Sequence, residues 1–326
     1  MKNILKRAVG ALAGAWANPS ISYSLRKILT ALPLLFSVMA LSFLLVRLAP
    51  GSPFDKEAEL PSEVRESLRQ TYGLDQPLHL QFWNYMSGVV QGEFGLSFTY
   101  REKAVSDILM QAFPVSALLG ACSILFALVF GVLLGTVSAM RPHSFVDYVT
   151  RVLAAAGKSV PPMVLAPFLV FVFAVVLQLL PVAGWSEGSL LDMILPIACL
   201  GLYDAAAIAR LARGALLETL GTQRYAFLRA RGIPPWRIYT VHALREVMIP
   251  LVNYLAPALS GVLIGTVVVE QVFNIPGLGR YLVSAASNRD YTLVLGIVWL
   301  SSCLIIGFNL LADLAVGFLD PRIRLK

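Results

Sequence analysis

The chain has 326 residues, of which 57% are hydrophobic and only 14% charged. Soluble domains carry about a quarter charged residues, so this composition excludes a disordered segment, a collagen-like fibre and an ordinary soluble enzyme, and places most of the chain in lipid. Lys and Arg number 26 against 19 Asp and Glu, a net +7, which reads as a nucleic-acid surface only until the charges are placed along the chain.

Residues 1–27 are read as a cytoplasmic N-terminal extension. Lys2, Lys6 and Arg7 followed by Val9–Ala17 imitate a signal peptide. The apolar part is short and alanine-rich, and cleavage there would leave Arg26 and Lys27 on the wrong face of the first span. The extension is therefore expected to stay, lying on the membrane surface.

A helix needs about 20 mostly apolar residues to cross the hydrocarbon core. Ile28–Leu48, Pro114–Met140, Pro161–Leu180, Met193–Leu211, Val247–Phe273 and Leu293–Phe318 meet this requirement. The third run is the least regular. Phe145–Ala156 before it is also apolar, and Gly157 with Pro161-Pro162 interrupts the pattern. One long kinked helix and a short interfacial helix followed by a span are both compatible with it. With both termini cytoplasmic, most basic residues fall inside, among them Arg26, Lys27, Arg141, Arg151, Arg213 and Arg322. Most acidic residues then fall outside. The basic excess is a topology signal, and nucleic acid is not an expected partner.

Between the first two spans, residues 49–113 read as a small extracytoplasmic helical cap. Pro50-Gly-Ser-Pro53 ends the first span. Ser62 N-caps a short helix that Gly73 stops. Asp75 caps a second helix whose apolar face is Leu78, Phe82, Met86 and Val89 or Val90. A structural lid and a docking surface for a soluble protein fit this segment equally well.

Asp204 and Asp313 lie inside apolar runs. A mid-membrane charge costs about 2.5–3.5 kcal/mol on insertion scales, so such residues face the bundle interior and have partners. Asp204 is six residues before Arg210 and does not share its helix face. It is a candidate for the translocation pathway, or else a structural hydrogen-bonding residue. Asp313 is placed to cap or snorkel.

Residues 218–246 form the only long cytoplasmic loop, and its composition is helical. Thr219–Arg231 has no proline, Gly232 supplies a stop, and Pro234-Pro235 suits the start of a second helix. Trp236, Tyr239 or Thr240, and Ala243 are expected to share one face of that helix. Two short helices meeting at a Gly/Pro corner make a knob carrying Arg224, Arg229, Arg231, Arg237 and Arg245. Such a knob suits a groove on a soluble protein, or anionic lipid.

No catalytic or metal chemistry is expected. Gly157-Lys158-Ser159 holds the last letters of a phosphate-cradling loop, but Val152 stands where its first glycine is required. His79, His143 and His242 are far apart and lack metal-ligand spacing. Cys122, Cys199 and Cys303 fall singly in apolar runs, as inert thiols do. The chain is expected to bind no cofactor.

Three segments in order, Leu48-Ala-Pro-Gly-Ser-Pro53, Tyr72-Gly-Leu-Asp-Gln-Pro-Leu78 and Gly92-Glu-Phe-Gly-Leu-Ser97, resemble the permeases of the dipeptide/oligopeptide/nickel ABC-importer family. Arg229-Ala230-Arg231-Gly232, followed by His242-Ala-Leu244-Arg245 and Ile249-Pro250, resembles that family's signature loop. Glu270-Gln-Val-Phe-Asn-Ile-Pro-Gly-Leu-Gly-Arg280 with Asp290-Tyr291 resembles its last external loop, and Asn309, Asp313 and Asp320-Pro-Arg-Ile-Arg324 its terminal segment. Ala226-Phe-Leu228, Arg224-Tyr225 and Val316 depart from the usual pattern.

The resemblance implies an all-α integral membrane protein of the type I ABC-importer fold, with six transmembrane helices in a bacterial inner membrane. It implies that Arg229, Ala230, Arg231, Gly232, Arg237, His242, Leu244, Arg245 and Pro250 couple the chain to an ATPase. The implied partners are a second related permease subunit, two cytoplasmic ABC ATPases that use ATP and Mg, and an extracytoplasmic substrate-binding protein. The implied cargo is peptide, with nickel complexes, glutathione or sugars as alternatives. An ion-gradient-driven transporter would need an inverted repeat with matched intramembrane charges, and no such repeat is evident.

Overall fold

The computed structural model describes residues 19–48, 75–100, 103–186 and 189–319. The expectations for residues 1–18, Pro50–Pro53, the Ser62 helix, Gly73 and the tail from Asp320 lie outside the described residues. Among the described residues nearly everything is helix, and extended pairing is limited to an isolated bridge between Leu96 and Ala104.

In chain order the helices are α1 (Pro19–Leu48), α2 (Leu78–Gln91), α3 (Val105–Met140), α4 (Phe145–Ser159) and α5 (Pro162–Leu169). A π-helical turn, Val170–Val176, extends α5. There follow α6 (Leu190–Leu220), α7 (Gln223–Ala230), the turn Pro235–Arg237 with π-helical Ile238–Ala243, α8 (Leu244–Val272), α9 (Leu278–Asn288) and α10 (Tyr291–Leu319). Among the described residues, segments of α1, α3, α6 and α10 are each long and apolar enough to cross a membrane. Two bent pairs raise the number to as many as six: α4 with α5 and its extension, at 108°, and Pro235–Leu255 with Pro257–Val272, at 46°.

Several boundaries differ from the hydropathy reading, each for a local reason. The second apolar run was bounded by Pro114, yet α3 begins at Val105. Val105, Ile108, Leu109 and Ala112 recur at helical spacing and are buried against Leu278, Leu293 and Ile297. Pro114 is therefore accommodated inside the helix. The fourth run ended at Leu211, yet α6 continues to Leu220 because Arg213 finds a buried carboxylate and Leu216 and Leu220 join the core. The third run divides at Ser159–Pro162 into two helices, and its helical part stops at Val176 rather than Leu180.

α3 and α6 form the tightest pair, and the cause is glycine. A methyl group added at Gly131 would lie 2.7 Å from Ile208 Cγ2 and 2.8 Å from the Ala205 carbonyl. One added at Gly135 would lie 2.6 Å from the Ala209 carbonyl. Two glycines four apart, facing Ala205, Ala209 and Ala212, let the backbones touch, and in lipid that close van der Waals contact is what drives helix association. Around this pair, α4 and α8 pack on α6, α10 packs on α8, and α1 packs on α10.

Candidate functional site

The corner between α6 and α8 is built from its buried anchors outward. α6 ends at Leu220, and Gly221-Thr222 separates it from α7. Tyr225 on α7 is fully buried with Leu216, Leu220, Ile238, Ala243, Val247 and Leu251. Its hydroxyl donates to Glu246 Oε1 at 3.2 Å, and Arg224 Nη1 meets the same oxygen at 2.6 Å. Burial raises the Tyr225 phenol above its ordinary value, and the neighbouring Glu246 carboxylate adds to the rise. Arg224 is 67% exposed, so the ion pair itself contributes little. The buried ring holds the corner.

α7 closes at Gly232, whose φ of +76° lies in the left-handed region. Its N–H donates to the Arg229 carbonyl at 2.9 Å, and the Ile233 N–H reaches the Leu228 carbonyl at 3.3 Å. Only glycine adopts this conformation without penalty. The position of Cβ at Gly232 has nothing within 4 Å in this chain, so within the chain glycine is required here by backbone conformation and not by crowding. Pro234 and Pro235 then open the next turn, as their fixed φ and missing N–H favour.

The expected face of Trp236, Tyr239 or Thr240, and Ala243 does not form. Ile238 and Ala243 are buried and Trp236 is exposed. The π turn accounts for this: one extra residue per turn brings positions five apart onto one side, so Ile238, Ala243 and Val247 face inward together. Trp236 and Phe227 therefore project outward beside Arg229, Arg231 and Arg237, all exposed. Ala230, Gly232 and Arg245 are exposed as well, whereas His242, Leu244 and Pro250 are half-buried. The surface is a rigid, basic, aromatic-tipped knob.

Two polar ties lie behind it. Asp147 is completely buried, where Arg213 grips it in a bidentate pair at 2.6 and 2.8 Å. Ser138 donates to it at 2.5 Å, the His143 N–H at 3.0 Å, and Arg151 stands 3.7 Å away. This joins α3, α4 and α6. Deeper in the bundle, Asp204 is 5% exposed and accepts the Tyr254 hydroxyl at 2.7 Å, joining α6 to α8. Lys158 lies 3.6 Å over the Tyr203 ring, which gives the phosphate-loop-like fragment a packing role.

At the other end of α8, buried Glu270 accepts from Ser116 Oγ at 2.6 Å and from the N–H groups of Gly279 and Arg280 at 2.7 and 3.3 Å. It caps the N-terminus of α9, which favours negative charge. Asp290 does the same for α10 through the Leu293 N–H at 3.1 Å, and it also binds the Ser97 hydroxyl and the Thr99 N–H. Two motifs distant in sequence, Gly92–Ser97 and Asp290-Tyr291, thus meet in space. Sequence reading missed the partners of Asp147, Glu270 and Asp290. Ser144 before Asp147 and Pro276-Gly277 before α9 were the available signals.

Four to six helices long and apolar enough to cross a membrane, among the described residues, define a multi-pass membrane protein. Residues 131–325 match the family described as binding-protein-dependent transport system inner membrane component, and residues 20–120 match its N-terminal counterpart. The chain belongs to this family. The oligopeptide transport system permease protein OppB of Haemophilus influenzae is 40% identical over 304 residues, covering 93% of this chain and 99% of the relative. The dipeptide transport system permease protein DppB of Bacillus subtilis is 38% identical over 288 residues, covering 88% and 93%. Among solved structures, the inward-facing MetNI methionine ABC transporter superposes with a TM-score of 0.53 at 21% identity, covering 65% of this chain and 96% of that one. That likeness establishes the shared fold.

Proposed function

We propose that the chain is one of two membrane-spanning subunits of an ATP-driven importer of peptides in a bacterial inner membrane. It crosses the membrane six times with both termini in the cytoplasm. A soluble binding protein delivers peptide at the outer face, and two cytoplasmic ATPases hydrolyse ATP with Mg. The second permease half is a related chain. Arg229, Ala230, Arg231, Gly232 and Arg237 meet an ATPase groove, and His242, Leu244, Arg245 and Pro250 connect that contact to α8. Closure of the ATPases on ATP moves the corner and turns the bundle from outward to inward access. Asp204 belongs to the translocation pathway in this reading.

The observation that carries this reading is the corner itself: a buried Tyr225 anchor supports an exposed ridge of Phe227, Trp236 and arginines around a left-handed Gly232. A loop that only touches lipid needs no such anchor. Peptide cargo is supported by likeness to peptide permeases over nearly the whole chain. The test reconstitutes the chain with its cognate permease, ATPases and binding protein in liposomes. Peptide uptake with binding-protein-stimulated ATP hydrolysis is expected. Mass spectrometry showing only a metal chelate or a sugar in the native binding protein would overturn the cargo. Failure of any loaded binding protein to stimulate hydrolysis would overturn the importer.

A further inference from the structure

The 14 residues of α2 contain no Asp, Glu, Lys or Arg. One face packs as its periodicity requires: Phe82, Tyr85 and Met86 lie against Met39 and Phe43 of α1 and Leu295, Val298 and Trp299 of α10. The outward surface mixes uncharged polar side chains, Asn84, Ser87 and Gln91, with large apolar ones, Leu80 at 45%, Trp83 at 59% and Val90 at 81% exposure. A helix without charges that exposes three large apolar side chains suits an interface with lipid better than bulk water.

Its level relative to the spans is fixed by aromatic contacts. The Phe82 ring centroid lies 5.6 Å from that of Phe36 and 5.3 Å from that of Phe43. At 1.5 Å rise per residue these two positions are about 18 and 8 Å along α1 from Leu48, and Leu295 and Trp299 are about 6 and 12 Å along α10 from Tyr291. Leu29–Leu48 and Tyr291–Asp313 are the apolar windows of those helices. α2 therefore lies beside the windows and not beyond their ends. Three of its polar side chains are served locally: Gln81 Nε2 donates to the Gln76 carbonyl at 2.7 Å, Asn84 Nδ2 to Gln76 Oε1 at 3.1 Å, and Ser87 Oγ to the Asn84 carbonyl at 2.8 Å.

We propose that α2 is an interfacial helix embedded in the bilayer leaflet reached by Leu48 and Tyr291, with Leu80, Trp83 and Val90 in contact with lipid at the boundary of headgroups and acyl chains. That leaflet is the outer one in the topology proposed above. Interfacial helices sink their apolar face about 5–10 Å into this boundary, and Phe43, the partner of Phe82 nearer the end of α1, lies at about 8 Å, within that range. The partner is lipid, and the exposed surface of α2 continues onto α1 at Phe36, which is itself exposed and whose ring centroid lies 6.1 Å from that of Trp83.

The test places nitroxide labels at W83C and V90C in the full importer in phosphatidylethanolamine/phosphatidylglycerol nanodiscs, with Cys122, Cys199 and Cys303 replaced by serine. Collisional accessibility to oxygen and to a water-soluble nickel chelate is compared with a label at R141C in the turn between α3 and α4. The expected result is a several-fold higher oxygen-to-nickel ratio at both α2 sites. Nickel accessibility equal to the reference would overturn the proposal in favour of a lid in water. Exclusion of both reagents would overturn it in favour of a protein partner, the second permease or the binding protein. Native fluorescence gives a check that needs no label: lipid brominated near the headgroup should quench the wild type more than W83F, and equal quenching would refute the assignment. Neither readout depends on peptide being the cargo.

Discussion

One methyl group at Gly232 tests the coupling corner. At φ +76° the backbone is left-handed, which costs an L-residue about 1–2 kcal/mol. Because nothing in the chain lies within 4 Å of the added Cβ, G232A meets no internal clash, and its whole effect is this conformational cost. At 1.4 kcal/mol per factor of ten, the corner should adopt its docking form about 5–30-fold less readily. Gly214, inside α6, also has nothing within 4 Å of its Cβ position but lacks the positive φ. G214A is the control and should gain about 1 kcal/mol of helix stability. G232L adds a branched chain at the surface that an ATPase would approach. It should leave the helices inserted and abolish transport.

The assay reconstitutes each variant with its ATPases and measures complex formation by size exclusion and substrate-stimulated ATP hydrolysis in liposomes. A graded loss is expected, from G214A with none, through G232A, to G232L. Normal association together with normal stimulated hydrolysis in G232L would refute the coupling assignment. Loss of G232L from the membrane fraction would refute the structural reasoning instead, since no contact in the chain opposes the new side chain.

Three further outcomes follow from named contacts. G135V drives a side chain into the Ala209 carbonyl, 2.6 Å from the ideal Cβ, and should separate α3 from α6, costing about 1–3 kcal/mol as a lower melting temperature in detergent. R213M leaves the buried Asp147 charge with Arg151 at 3.7 Å as its nearest cation, beside the Ser138 hydroxyl and the His143 N–H, and should cost about 3 kcal/mol, the low end for a broken buried pair, whereas adding D147L should restore most of the melting temperature. Y225F removes the bond to Glu246 at 3.2 Å but keeps the ring, so it should weaken ATPase association by about 1 kcal/mol. Tyr225 has a raised folded-state pKa, so its contribution is fully present below the ordinary phenol value near about pH 10 and is lost as pH rises through the folded one; association should not vary through this residue between about pH 6 and 9.

Hydropathy located the long helices because lipid demands apolar length, and that demand is local in sequence. It misplaced the start of α3, where Pro114 looked like a boundary, because burial of Val105 and Ile108 depends on α9 and α10 far downstream. The corner was legible as far as Gly232 and the Pro234-Pro235 start, since backbone conformation is written in single residues. The outward turn of Trp236 was not, because a π turn has no sequence period of its own. Asp204 was legible as a residue needing a partner, but its partner, Tyr254, lies 50 positions away. Arg213 counted only as one more inside charge, although it is committed to Asp147 at 2.6 Å. Such pairs are fixed by packing of whole helices, and no spacing rule within one helix reaches them.

α8 links the two ends of the molecule, and its ends are held differently. At the end that the proposed topology places outside, Glu270 fastens it to α3 through Ser116 and to α9 through two N–H groups. At the inner end Val247 and Leu251 rest on Tyr225 and Ile238, and Glu246 meets the Tyr225 hydroxyl and Arg224, so the helix is seated on the corner by apolar packing and a partly exposed polar contact. Pro250 and Pro257 each remove a helical hydrogen bond between these attachments, and the helix bends by 46° at the second. In the proposed importer a displacement of the corner would be carried along the inner arm and absorbed at the prolines, because the outer arm is tied to its neighbours by a buried carboxylate. Tyr254 lies on that inner arm, between the prolines, and it is the residue joined to Asp204 of α6 at 2.7 Å. In the proposed importer the Asp204–Tyr254 bond is therefore a buried polar contact that a moving corner must carry or break.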